Sequence, residues 1–205
     1  MKLCYLPGSC ALAPHIALHW IGVPFETYRV PREQLHGDYL KINPQGKVPA
    51  LIEDDGGILT EAGAILQYLA DKYPEAQLGP GPELKQRYAM NQWLSNLGGN
   101  VHPAFYPFFL PKRYHPDAGQ HPVLKEAAQA VIFRQMELMD RELGGKHFVL
   151  EGRRTIVDPY LFALFRWNKN LPRPLEEYSN LFRFYQKMLE DAGVQRAMAE
   201  QGLEP

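Results

Sequence analysis

Apolar positions recur along the N-terminal third of the chain with two different periods. Lys2 to Leu6 is a short apolar-rich run ended by Pro7-Gly8, which predicts a strand. Leu12, Ile16 and Trp20 lie four apart, so Cys10 to Ile21 predicts a helix closed by Gly22. Phe25, Tyr28 and Val30 then suggest a second strand. Strand, helix, strand is the βαβ unit of a parallel sheet. Further on, Pro49 to Glu53 and Ile58 to Thr60 flank Asp54-Asp55-Gly56-Gly57 and read as a hairpin. Ala62, Ile65, Leu66, Leu69, Ala70 and Tyr73 follow at helical spacing, with Pro74 just beyond them.

The order βαβ then ββα is the thioredoxin-like arrangement. Gly79-Pro80-Gly81-Pro82 reads as a linker, and the pattern after it is helical throughout. Leu84 to Leu97 leads into a Pro-interrupted stretch to Leu110. Leu124, Ala127, Ala128, Val131 and Leu138 mark a further helix. Another runs from near Thr155 to about Lys169, and Leu181, Phe182, Tyr185, Met188 and Leu189 mark one more. The expected fold is therefore an α/β thioredoxin-like N-terminal domain over residues 1–77, a linker over 78–83 and an all-α helical domain over 84–205.

Composition narrows the function classes. The chain is 45% hydrophobic and 22% charged, enough apolar material for a sizeable core. Its formal net charge is −1, so no general field draws it to nucleic acid or to an anionic membrane. No apolar run nears the ~18 residues of a spanning helix, so no membrane partner is expected. In Met1 to Ala13, Pro7-Gly8-Ser9 breaks the apolar run, and this segment is read as mature protein. Cys4 and Cys10 are too few for a disulfide framework, which points to a reduced, cytoplasmic setting. The seven histidines are scattered in sequence without zinc spacing, so no metal is expected.

Five features carry chemistry. Val48-Pro49 starts a strand after a turn, and a cis bond there could leave the Val48 N–H and C=O at a sheet edge for an added extended peptide. Glu61-Ala62 opens a helix, whose N–H groups and dipole favour a carboxylate while Glu61 could take an ammonium group; a glutamate that merely complements the dipole is the plainer reading. Pro7-Gly8-Ser9-Cys10 places a thiol at a helix start, where the thiolate is stabilised, although for a cysteine taken alone a small buried apolar residue is the plainer reading; Cys4, in the first strand, fits that second description. Thr155-Ile156-Val157-Asp158 follows capping-box logic and is structural. Gly98-Gly99-Asn100-Val101-His102-Pro103 interrupts a helix and offers His102 as a proton donor or hydrogen-bond partner.

In this order and spacing the five features resemble the glutathione transferase family over nearly the whole chain. The most specific piece is Asn43-Pro44-Gln45-Gly46-Lys47-Val48-Pro49-Ala50-Leu51 with Leu59-Thr60-Glu61-Ala62; Met1-Lys2-Leu3, Tyr5, Pro7-Gly8, Cys10 and His102 with Phe105, Pro107 and Phe109 look like the bacterial beta class. The resemblance implies a homodimer with glutathione as co-substrate, bound between the domains beside a pocket for a small electrophile. It implies that Cys10 and Ser9 approach the glutathione sulfur and that His102 faces it from the helical side; Tyr5 is the fallback thiolate stabiliser, expected to be mainly structural. Val48, ahead of Pro49, would pair with the cysteinyl backbone, and Glu61 with Ala62 would hold the γ-glutamyl head. Beta-class chains often carry a lysine after the second strand; here Pro31 to Tyr39 is shortened and only Arg32 could substitute, while Lys47 could restore positive charge near the glycyl carboxylate, and Ser95, Asn96 and Asn100 lie where a second subunit contributes. The chain departs from the family in Ala62, where a serine or threonine is usual, and in Pro103, where lysine often follows the site histidine. Two classes of activity follow: an enzyme that conjugates glutathione to electrophiles, with thiol–disulfide exchange through Cys10 as a further capacity, or a non-catalytic module that holds glutathione or apolar ligands.

Overall fold

The computed structural model describes residues 1–150 and 152–204; residues 151 and 205, inside the expected helical domain, lie outside the described residues. Strands β1 (Lys2–Tyr5), β2 (Glu26–Arg29), β3 (Ala50–Ile52) and β4 (Ile58–Thr60) form one sheet in the order β2-β1-β3-β4. β1 and β2 run parallel, while β1–β3 and β3–β4 are antiparallel. The crossover from β1 to β2 is α1 (Leu12–Ile21), and α2 (Ala62–Lys72) follows β4. This is the expected thioredoxin-like arrangement, with shorter elements: α1 begins at Leu12, so Cys10 lies in the turn leading into it rather than within it. Gly22 ends α1 with φ +79°, a left-handed cap that favours glycine.

The helical region consists of α3 (Leu84–Asn96), the short α4 (His102–Ala104) and α5 (Tyr106–Phe109), the long α6 (His121–Glu142), then α7 (Val157–Arg166), α8 (Ser179–Leu189) and α9 (Ala192–Glu200). Leu97–Val101 forms a π turn between α3 and α4, which accounts for the Gly98-Gly99 interruption. Helix α9 is absent from the sequence expectation. Its start is capped by Asp191, whose side chain accepts from the Gly193 and Val194 N–H groups, and its small apolar face packs on α1.

The two faces of the sheet are covered differently. Leu3 and Leu51 on one face join α1, α2 and the helical region in a single core that includes Ile16, Leu66, Leu94, Phe162 and Phe184. On the other face Cys4, Val30, Tyr39 and Ala50 form a second, small cluster. Cys4 is thus a packed apolar residue, its thiol pushed up to about 11 by burial. Leu78, in the expected linker, is buried, and its carbonyl accepts the Ile156 N–H at 3.0 Å, which ties the segment to the start of α7. No described helix is long and apolar enough to cross a membrane.

Candidate active site

A cleft of about 530 Å³ opens where the Pro7–Cys10 turn and the Lys47–Val48 edge face α4, α5 and the end of α7. The turn 43–46 builds its sheet-side edge. The Asn43 side chain donates to the Lys47 carbonyl at 2.7 Å and accepts from the Gln45 N–H at 3.0 Å, and the Tyr39 hydroxyl donates to the same Lys47 carbonyl at 3.0 Å. Gly46 sits at φ +61°, and a Cβ there would come within 2.7 Å of the Leu35 carbonyl, so glycine is required. The Val48–Pro49 peptide that follows is cis.

Ser9 and Cys10 line this cleft together with Arg32, Lys47 and Val48. The Ser9 hydroxyl donates to the Leu6 carbonyl at 2.7 Å and accepts from the Ala11 N–H at 3.3 Å, so it shapes the turn. The Cys10 thiol donates to the Val48 carbonyl at 3.5 Å and is only 6% exposed. Burial, reinforced by the Glu61 charge, pushes it up to about 12, against the pull of the Cys10 and Ala11 N–H groups and of Lys47. The helix-start argument for a thiolate is overturned here: burial outweighs the helix-start N–H groups, and Cys10 is an S–H at neutral pH.

From the helical side His102 enters the cleft between Tyr106 and Trp167, with ring centroids 5.1 and 5.0 Å away. Burial first, then the Lys47 charge, pushes His102 down to about 4, so the ring is neutral. Its Nδ1 lies 3.1 Å from the Tyr160 hydroxyl. Burial raises the Tyr160 pKa, keeping that group O–H, and His102 is its one hydrogen-bond partner among the described residues. We therefore assign the proton so that Tyr160 donates to Nδ1, which leaves the proton of the ring on Nε2 as a donor. Tyr106, pushed up to about 12 by burial first and then by the Glu61 charge, adds a second O–H in the cleft.

Other expected site residues fall elsewhere. Tyr5 is a correction: it is buried, outside the cleft lining, and its hydroxyl donates to the Glu200 carbonyl at 3.4 Å. Pro49, Glu61 and Ala62 stand beside the cleft rather than in its wall. Glu61 is exposed at the N-cap of α2 with φ +69°, a costly conformation for a non-glycine residue. Ser95, Asn96 and Asn100 do not reach the cleft of their own chain. Asn100 donates to Asn96 at 2.8 Å, and Asn96 lines a separate cavity with Trp93 and Met139.

The sequence reading missed what fixes the Pro7–Cys10 turn from behind. The Gly8 N–H donates to Gln201 Oε1 at 3.1 Å, and the Gly8 carbonyl accepts the Trp167 indole N–H at 2.8 Å. With its oxygen used in this way, the Gln201 amide nitrogen donates to His15 Nδ1 at 3.0 Å, so His15 carries its proton on Nε2 and donates to Glu200 at 2.7 Å. His19 reaches the same carboxylate oxygen at 3.2 Å. The fold thus gathers His15, His19 and Glu200 into a group with metal-ligating atoms, contrary to the expectation of scattered histidines. Sequence spacing could not show it, because Glu200 comes from the far end of the chain. The proton on His15 Nε2 makes this group a hydrogen-bonded triad rather than a ligand set.

The chain matches the family model described as glutathione S-transferase, N-terminal domain, over residues 3–77, and that described as glutathione S-transferase, C-terminal domain, over residues 100–191. It is 36% identical to glutathione S-transferase GstA of Escherichia coli O157:H7, over 99% of this chain and 100% of that one. The chain belongs to the glutathione S-transferase family and is a glutathione transferase. Within the family it resembles the bacterial beta class. The beta-class enzyme of Sphingomonas chungbukensis superposes with a TM-score of 0.88 at 34% identity over the whole of both chains. A sphingomonad glutathione S-transferase solved in complex with glutathione gives the same TM-score, identity and coverage.

Proposed function

We propose that the cleft binds glutathione and directs its sulfur at a small electrophile. The carrying observation is the convergence, in one cleft, of the Val48 peptide edge, the cations Arg32 and Lys47, and the neutral O–H and N–H donors of Tyr106 and His102. Val48 pairs with the cysteinyl backbone, and Arg32 with Lys47 meets the glycyl carboxylate. The N–H groups at the start of α2 take the γ-glutamyl carboxylate, and Glu61 takes its ammonium group. The sulfur then lies by Cys10 and Ser9, where His102 Nε2–H and the Tyr106 hydroxyl stabilise the thiolate. That thiolate forms the S–C bond as the leaving group departs from the electrophile, and the thiol proton passes to solvent.

Cys10, as an S–H whose proton goes to the Val48 carbonyl, packs beside the sulfur rather than attacking. Thiol–disulfide exchange needs a Cys10 thiolate, which burial opposes, so conjugation is the activity this geometry favours. The solved sphingomonad complex supports glutathione as the ligand. A homodimer places the Ser95–Asn100 face against a second copy, and the reduced Cys4 and Cys10 suit a cytoplasmic setting. The test is conjugation of glutathione to a model aryl halide by the wild type and by Cys10→Ala. Turnover that survives in Cys10→Ala within about tenfold supports this assignment; turnover abolished in a folded Cys10→Ala contradicts it.

A further inference from the structure

We infer that the electrophile taken by this cleft is a planar, conjugated molecule bearing a negative charge, such as an aromatic carboxylate; the inference rests on the transferase reading above. The helical wall of the cleft has an aromatic surface built by Tyr106, Phe109 and Trp167, with Phe109 edge-on to Trp167 at 5.7 Å and 88°. Such a wall takes a flat ring by stacking or edge contact. Two cations flank it. Arg113, on the segment after α5, is exposed and lines the cleft. Arg166, at the end of α7, is held by the Glu204 carbonyl at 3.0 Å, and one of its nitrogens would lie 3.6 Å from a Cβ placed on Gly8.

No aspartate or glutamate is among the described residues that line the cleft. The cations also exceed what glutathione needs. Its glycyl carboxylate is met by Arg32 and Lys47 on the sheet side, and its γ-glutamyl carboxylate by the start of α2. Arg113 and Arg166 remain on the opposite, aromatic wall, where the second substrate must sit for its carbon to face the sulfur. A cleft lined by one sign of charge concentrates ligands of the other sign. In the reaction the sulfur–carbon bond forms, the carbon–chlorine bond of an aryl chloride breaks, and chloride leaves; the carboxylate of the electrophile is a spectator that the arginines hold.

The experiment compares a chlorodinitrobenzoate, with chlorine para to the carboxylate, against its uncharged amide, each divided by its own uncatalysed rate with glutathione. The wild type is expected to prefer the carboxylate in kcat/KM by about threefold to tenfold, the scale of a partly exposed charge pair. Arg113→Gln, a surface change that leaves folding intact, removes most of this preference while turnover of the amide stays within about twofold. Arg113→Lys retains part of it, and added salt erodes it in the wild type. Equal rates for the two probes in the wild type overturn the inference and leave the transferase reading standing. An equal rise in glutathione KM with both probes in Arg113→Gln also overturns it, because Arg113 then serves glutathione. If neither probe turns over, both readings fall.

Discussion

Two helix starts in this molecule use the same vocabulary to opposite ends. At α7, Thr155 and Asp158 are buried and close on each other: the Asp158 carboxylate accepts the Thr155 N–H at 2.6 Å, the Thr155 hydroxyl at 3.1 Å and the Val149 N–H at 2.8 Å. At α2, Glu61 is exposed, makes no side-chain cap bond and sits at φ +69°. The first start meets its own hydrogen-bonding needs and fixes a core helix. The second leaves the first N–H groups of α2 without a side-chain acceptor and keeps a strained residue beside a charged cleft. A polar motif whose hydrogen bonds close internally serves structure, whereas one that leaves donors and a charge turned outward at some conformational cost serves a ligand.

The sharpest way to break this contrast is Asp158→Ala. It strips partners from buried N–H groups, so stability should fall by about 3 kcal/mol or more in urea unfolding, while the molecules that remain folded conjugate at the wild-type rate. A smaller effect comes from His102, whose pKa lies at about 4 in the folded protein against an ordinary 6.5. The unfolded chain binds that proton first, so folding stability from this residue is present above pH 6.5 and is lost as pH falls toward 4. Wild type should lose on the order of 2–3 kcal/mol more than His102→Asn across that window, read from urea midpoints at successive pH values.

Much of the fold was legible because it is written locally. The βαβ and hairpin-plus-helix patterns follow from apolar spacing, and the Thr155–Asp158 box from four adjacent residues. The Asn43–Gly46 turn announced itself, and Gly46 proves to need its glycine. Helix α9 escaped because it is only 9 residues long and buries Val194, Ala197 and Met198, too few positions to mark a period along the chain. Part of the site escaped for a different reason. Trp167 and Gln201 hold the Gly8 turn from 159 and 193 residues away, contacts that no window along the chain contains. Cys10 lines the cleft, and of the two descriptions its sequence position allows, a helix-start thiolate or a small buried thiol, the packing favours the second, because burial raises its pKa.

The start of α2 is kept for a ligand at the expense of local comfort. Glu61→Gly tests it most directly, because glycine accepts φ +69° without strain and removes the carboxylate proposed to hold an ammonium group. Calorimetric titration with glutathione and urea unfolding are run on the same sample of this variant. Stability should equal wild type or exceed it by about 1 kcal/mol, and glutathione affinity should fall by about tenfold, the worth of one charged hydrogen bond. Unchanged affinity, or stability and affinity falling together, would contradict it.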